Sequence, residues 1–132
     1  MMTATIVTCT KRKRAGQHPA RDLYSPSPLF RRCLRQALAD GHPVFVLSTK
    51  YGLVEPATVI RSYERDLTAM TARERSEWVA QLQADVRRLM VSHGISRAVF
   101  LASRAYREAA KPAFTAEGIR TYVHRHWNRL SA

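Results

Sequence analysis

Four apolar residues in succession, Val44 to Leu47, stand between Pro43 and the polar run Ser48, Thr49, Lys50, Tyr51 and Gly52. A run this short suits a strand, and unbroken apolarity means both of its faces are covered, as in the central parallel strands of an α/β sheet. Thr3 to Thr10 is a second buried strand, rich in β-branched residues, and Arg97 to Ala102 a third. Ile119 to His124 alternates polar and apolar side chains and reads as a fourth, edge-like strand. Between the strands the period changes to that of a helix. Leu29 to Asp40 carries one broad apolar face, with Ser27 placed to cap it, Pro28 as its first residue and Gly41 to close it. Met70 to His93 is the longest helix; Trp78, Leu82, Val86, Leu89 and His93 form its stripe, and Thr71 with Glu74 makes a capping box. Ser103 caps a last helix through Tyr106 and Ala110, which Pro112 is expected to break or kink. The stretches 15–19, 20–28 and 54–68 have turn formers or no period and read as loops.

Strand, helix and strand in this alternation predict an α/β fold. The expected form is a single three-layer domain over residues 1–132, with about four mostly parallel strands and helices on both faces, Rossmann-like or flavodoxin-like. A chain of 132 residues is large enough to bury such a core without staples. It contains no apolar run of the length that crosses a membrane. The brief apolar start precedes a basic run, the reverse of a secretory signal, so a cytoplasmic location is expected. Cys9 and Cys33 have no partner spacing of a zinc site, and Cys33 is expected to be buried as a small hydrophobe. His124 and His126 lack a third ligand nearby. No metal and no cofactor is expected.

Charge changes the picture more than composition does. Lys and Arg number 22 against 10 for Asp and Glu, a formal net charge of +12. That excess points to a polyanionic partner, a nucleic acid or a phosphorylated nucleotide rather than a membrane. Lys11, Arg12, Lys13 and Arg14 follow the first strand directly and are candidates to grip phosphates.

Ligands of open α/β sheets bind at the carboxyl ends of the strands. Three such ends deliver polar clusters: Cys9, Thr10 and Lys11; Ser48, Thr49, Lys50 and Tyr51; Ser103, Arg104 and Tyr106. Together they predict an electropositive pocket with hydroxyl donors and few acids, in which a base stacks on Tyr24 or Tyr51. Ser48 has no His–Asp relay and Cys9 no histidine placed to serve as its base, so hydrolase triads are weakly supported.

The set Cys9-x-Lys11, Ala20-x-x-Leu23-Tyr24-Ser25 with Phe30, Leu47-Ser48-x-Lys50-Tyr51-Gly52-Leu53 and Tyr63-x-x-Asp66-Leu67 resembles a small bacterial and phage domain of unknown function. That domain is similar in motif layout to the peroxide-stress protein YaaA and to a domain of archaeosine-type tRNA-modifying enzymes. Ser103 departs from the pattern, where a glycine is expected. The resemblance implies an association with nucleic acids or modified bases and names no reaction.

Two function classes follow. The first is an enzyme acting at a nucleotide or nucleobase, on an N-glycosidic bond. Its oxocarbenium-like transition state calls for a carboxylate, Asp66 or Glu55. Lys11 and Lys50 would hold phosphate, Lys50 being grouped with the catalytic residues. Cys9, Tyr24, Ser25, Ser48, Tyr51, Gly52, Tyr63 and Tyr106 would line the substrate site. The second is a non-catalytic module that binds nucleic acid through Arg12, Lys13, Arg14 and the arginines of the long helix.

Overall fold

The computed structural model describes residues 2–132. The three buried runs and the edge-like segment become strands β1 (Met2–Thr8), β3 (Val44–Ser48), β6 (Ile95–Leu101) and β7 (Arg120–Val123). A short strand β4 (Gly52–Val54) joins them, giving a five-stranded sheet in the order β4-β3-β1-β6-β7. All neighbours are parallel except β3 and β4, which form a hairpin. The fold is therefore mixed α/β with a mainly parallel sheet, as the periodicity predicts, plus one antiparallel edge.

The period of two assigns each strand residue to a face. Ile6, Phe45, Leu47 and Phe100 pack in one cluster with Trp78, Leu82 and Val86 of α3 (Ala72–His93) and with Ala113 and Phe114 of α4 (Arg104–Thr115). Val7, Val44, Val46 and Leu101 pack in the other, with Phe30, Cys33 and Ala37 of α2 (Pro28–Asp40) and Leu130 of α5 (Trp127–Leu130). The helix ends follow the sequence. Ser27 accepts from the Phe30 N–H, Gly41 closes α2 in the left-handed region, and Thr71 with Glu74 forms the reciprocal capping box of α3. Both cysteines are buried and free.

Three local readings are corrected. The first strand ends at Thr8, so Cys9 and Thr10 begin the loop. Residues 15–28 and 54–68 are not loops throughout. Gln17–Pro19 (β2) pairs antiparallel with Val59–Arg61 (β5), and Ala20–Leu23 (α1) is a helical turn. Two three-residue strands give periodicity too little length to register, and their pairing spans some forty positions of chain. Pro112 does not end α4, which runs on to Thr115 because Ala113 and Phe114 anchor its last turn in the core. Among the described residues no helix is long and apolar enough to cross a membrane.

The chain winds outward from β1 to β3, then returns across β1 to β6 and β7. The winding direction reverses between β1 and β6. Loops leaving those two strands at their carboxyl ends must diverge, and a crevice opens between them.

Candidate active site

The crevice is a cleft of about 510 Å³. The loop after β1 supplies Cys9, Thr10, Lys11 and Lys13; the start of α4 supplies Ser103 and Tyr106. The segment 64–66 closes a third side with Glu64, Arg65 and Asp66, while Leu29 and Trp127 form apolar walls. The cleft therefore holds three cations and two carboxylates, more acid than the sequence led us to expect.

Asp66 is exposed at the mouth. Its Oδ1 accepts from the Thr68 N–H at 3.1 Å, capping the 3-10 turn Leu67–Ala69. The backbone and side chain of Thr68, and then the nearby Lys11 ammonium, hold its carboxyl below the usual range. It is ionised at neutral pH. Burial, and then the Cys9 thiol beside its hydroxyl, push Tyr106 above the ordinary phenol range, so it remains a neutral donor. Lys13 is already engaged: its Nζ donates to the Lys11 carbonyl at 3.2 Å and lies 4.6 Å above the centre of the Tyr63 ring.

The remaining motif residues do a different job. Ser48 Oγ accepts from the Tyr51 N–H at 2.9 Å and the Lys50 N–H at 3.2 Å, folding the chain back after β3. With both lone pairs used, its proton goes to the Tyr63 oxygen at 2.8 Å, and Tyr63 then donates to Tyr24 at 2.7 Å. Burial raises both phenols above their ordinary range, so this chain of hydroxyls stays protonated. Thr49 donates to the Arg65 carbonyl at 2.7 Å, and the Tyr51 hydroxyl to the Arg61 carbonyl at 3.2 Å. Trp78 Nε1 donates to the Ser48 carbonyl at 2.9 Å, fixing the turn to α3. Gly52 has φ +75°, and a Cβ there would overlap the Asp85 carboxylate, which accepts from the Leu53 N–H at 3.1 Å. Every contact of the block Ser48–Gly52 with the segment 59–66 pulls that segment over the strand ends. The motif ties down the segment that carries Asp66.

The predicted site residues thus divide. Cys9, Lys11, Lys13, Asp66 and Tyr106 come together in the cleft. Tyr24 is fully buried and cannot stack a base. Ser48, Tyr51, Gly52 and Tyr63 form the support just described. Ser25 lies outside, donating to the Asp22 carbonyl and accepting from Arg14 Nε. Arg12 is exposed and, like Arg14, does not line the cleft. Lys50 points outward, its Nζ 5.3 Å from the Tyr51 ring centre. Glu55 is on another surface, 3.8 Å from His93 Nε2 in a hollow lined by Pro43 and Val44, where β3 begins. It stands at the opposite end of that strand from the cleft, so the carboxylate alternatives reduce to Asp66 with Glu64 beside it. Sequence reasoning did not place Leu29, Arg65 and Trp127 in the site. Trp127 follows β7 and carries no local signal of where α5 will dock.

Trp127 is held by two long-range links. Arg32 donates to the Leu130 carbonyl through Nε and Nη2, at 3.1 and 3.0 Å. His124 Nδ1 accepts from the His126 N–H, which leaves its proton on Nε2 for Asp40 Oδ2 at 2.7 Å. Among the described residues, no group of three or more His, Cys, Asp or Glu side chains is arranged to hold a metal ion.

A family model described only as a family of unknown function, DUF6884, matches residues 4–127. The match covers both the cleft and its supports. No curated protein and no solved structure matches the chain. The chain belongs to the DUF6884 family.

Proposed function

We propose that this DUF6884 protein is a nucleic-acid- or nucleotide-directed enzyme that cleaves an N-glycosidic bond in the strand-end cleft. The observation that carries the reading is Asp66, an ionised carboxylate at the mouth of a cleft that also offers cations and an aromatic wall. A doubly wound, Rossmann-like reading of the sheet, with its ligand at the reversal of winding, favours the same cleft. The likeness in motif layout to YaaA and to the archaeosine-type domain, with the net charge, favours a nucleic acid or nucleotide as substrate.

In this reading Lys11 and Arg65 hold the phosphate and Trp127 stacks against the base. Tyr106 donates a hydrogen bond to the base, which its raised pKa keeps available. As the bond to the base nitrogen breaks, its electron pair leaves with the base, which takes up a proton from solvent water in the open cleft. Positive charge grows on the sugar carbon, and the Asp66 carboxylate stabilises it. Water adds to that carbon and gives its proton to a carboxylate of the cleft, Asp66 or Glu64.

A non-catalytic binding module is the second reading, and one observation favours it. Asp66 already serves as the cap of the 3-10 turn, which by itself accounts for a carboxylate there. Chromatography of free bases released from oligonucleotides and nucleotides separates the two. Base release that Asp66→Asn abolishes supports the enzyme. Binding without release by the unaltered protein supports the module.

A further inference from the structure

We infer that the substrate is a single-stranded polynucleotide, with the neighbouring nucleotides carried along the groove between α4 and the open edge of β7. The inference rests on the proposed function and specifies its substrate class. α4 begins in the cleft with Ser103 and Tyr106. Its next cations, Arg104, Arg107 and Lys111, recur at i, i+3 and i+7 and line an adjoining groove with Phe100, Tyr122 and Val123. A helical stripe of cations therefore leads directly away from the cleft. Among the described residues Glu108 is the only carboxylate lining the groove, and Arg104 Nε donates to it at 2.8 Å. Both members of that pair are well exposed, so a phosphate can replace the carboxylate at little cost.

The far wall is aromatic. Tyr122 is 46% exposed on a strand whose outer edge has no partner in the sheet. A large ring left open beside three cations is the combination that holds unpaired bases while the backbone follows the charge. The groove continues along β7 past Arg120, which adds a further cation. A ring that stacks on the face of a base needs that base unpaired, which favours a single strand over a duplex. A second copy of this chain is disfavoured as occupant, since it would bring the same cations to the same edge.

The test is binding by fluorescence anisotropy of labelled dinucleotides and dodecanucleotides, as oligo-dT and oligo-rU. The full-length protein is compared with Arg104→Glu/Lys111→Glu and Lys11→Ala. The double variant Arg21→Glu/Arg35→Glu, altering exposed cations of α1 and α2, makes the same change in net charge away from the groove. The dodecamer is expected to bind at least about tenfold tighter than the dinucleotide at low salt. Arg104→Glu/Lys111→Glu removes that gain and leaves dinucleotide binding unchanged, whereas the Arg21/Arg35 control keeps most of it. Lys11→Ala weakens both lengths. Tyr122→Ala is expected to weaken the dodecamer alone, and the DNA and RNA arms show which sugar the track prefers. Equal binding of the two lengths overturns the track while leaving the cleft reading intact. So does a gain that both double variants remove equally. An oligoglutamate that displaces the dodecamer at equal concentration would assign the groove to an acidic polypeptide and also overturn it. Failure of the dinucleotide to bind, or its indifference to Lys11→Ala, overturns the cleft reading itself.

Discussion

The hydroxyls of Ser48 and Tyr63 stand 2.8 Å apart, tying the end of β3 to the segment that carries Asp66. Ser48 has spent both lone pairs on backbone N–H groups, so the direction of this bond is set, and Tyr63 passes its own proton to Tyr24. The site is thus held from behind by a row of buried neutral hydroxyls. Removing the middle member leaves the Ser48 proton without its acceptor and the Tyr24 hydroxyl without its donor. Tyr63→Phe should therefore cost roughly 1–3 kcal/mol in urea unfolding, more than Tyr24→Phe, which strands one group only. An unchanged midpoint for Tyr63→Phe would show that water replaces its hydroxyl.

Gly52 answers to Asp85. Its left-handed φ and the absence of a Cβ let the β3–β4 turn close over the carboxylate. Gly52→Ala should destabilise by about 2–4 kcal/mol, combining backbone strain with a displaced buried carboxyl. In a double-mutant cycle, Asp85→Ala should return part of that loss because it removes the obstacle. Additive losses would locate the whole cost in the backbone.

Asparagine caps a helical turn about as well as aspartate, so Asp66→Asn isolates charge from capping. The melting temperature should stay within about a degree or two, while base release falls by at least about a hundredfold. The pH dependence has a definite sign. The folded-state pKa of Asp66 is depressed, so its carboxylate form is kept as pH falls past the ordinary value near ~3.9 and is lost only as pH drops through the lower folded value. The acid limb of base release should accordingly lie below ~3.9, read from rates in buffers where the fold persists. A limb near neutrality would assign the essential base to another group.

Lys11 lies at the strand end and carries no core contact, so Lys11→Ala should leave thermal unfolding unchanged. Nucleotide affinity should drop about tenfold, with the slope of log affinity against log salt falling by about one. A collapsed thermal transition would make Lys11 structural.

The His124–Asp40 link governs Trp127 from outside the cleft. Burial tends to raise the Asp40 carboxyl, but the hydrogen bonds from His124 and Gln36 outweigh it and hold the group below the usual range. A depressed folded pKa means that the link stabilises the fold above the unfolded value and is lost as pH falls through the folded one. Asp40→Ala should therefore lower stability at neutral pH and leave it nearly unchanged at strongly acid pH. Trp127 fluorescence, read against a Trp78→Phe background, should shift toward that of an exposed indole. Unchanged emission would mean that Arg32 alone fixes α5.

The sequence by itself determined what depends on neighbours along the chain. Unbroken apolar runs marked β1, β3 and β6, a period near 3.6 marked α2 and α3, and Ser27, Thr71 and Glu74 marked helix starts, because strand and helix periods and caps are local. It also located Cys9, Lys11, Asp66 and Tyr106, since strand ends and a charged connection are readable in order. Tertiary structure decided which way the motif residues face. Ser48, Tyr51 and Gly52 share a strand end with the cleft, yet their hydroxyls and backbone are consumed by Tyr63, Arg61 and Asp85, partners ten or more positions away. Glu55 and Asp66 lie on one connection and differ in sequence only by place. The pairing of β2 with β5 bends that connection and sends them to different surfaces. Trp127 reaches the cleft through Arg32 and Asp40, far back in the chain. Side-chain direction at such positions is set by long-range hydrogen bonds and packing, which no local period encodes.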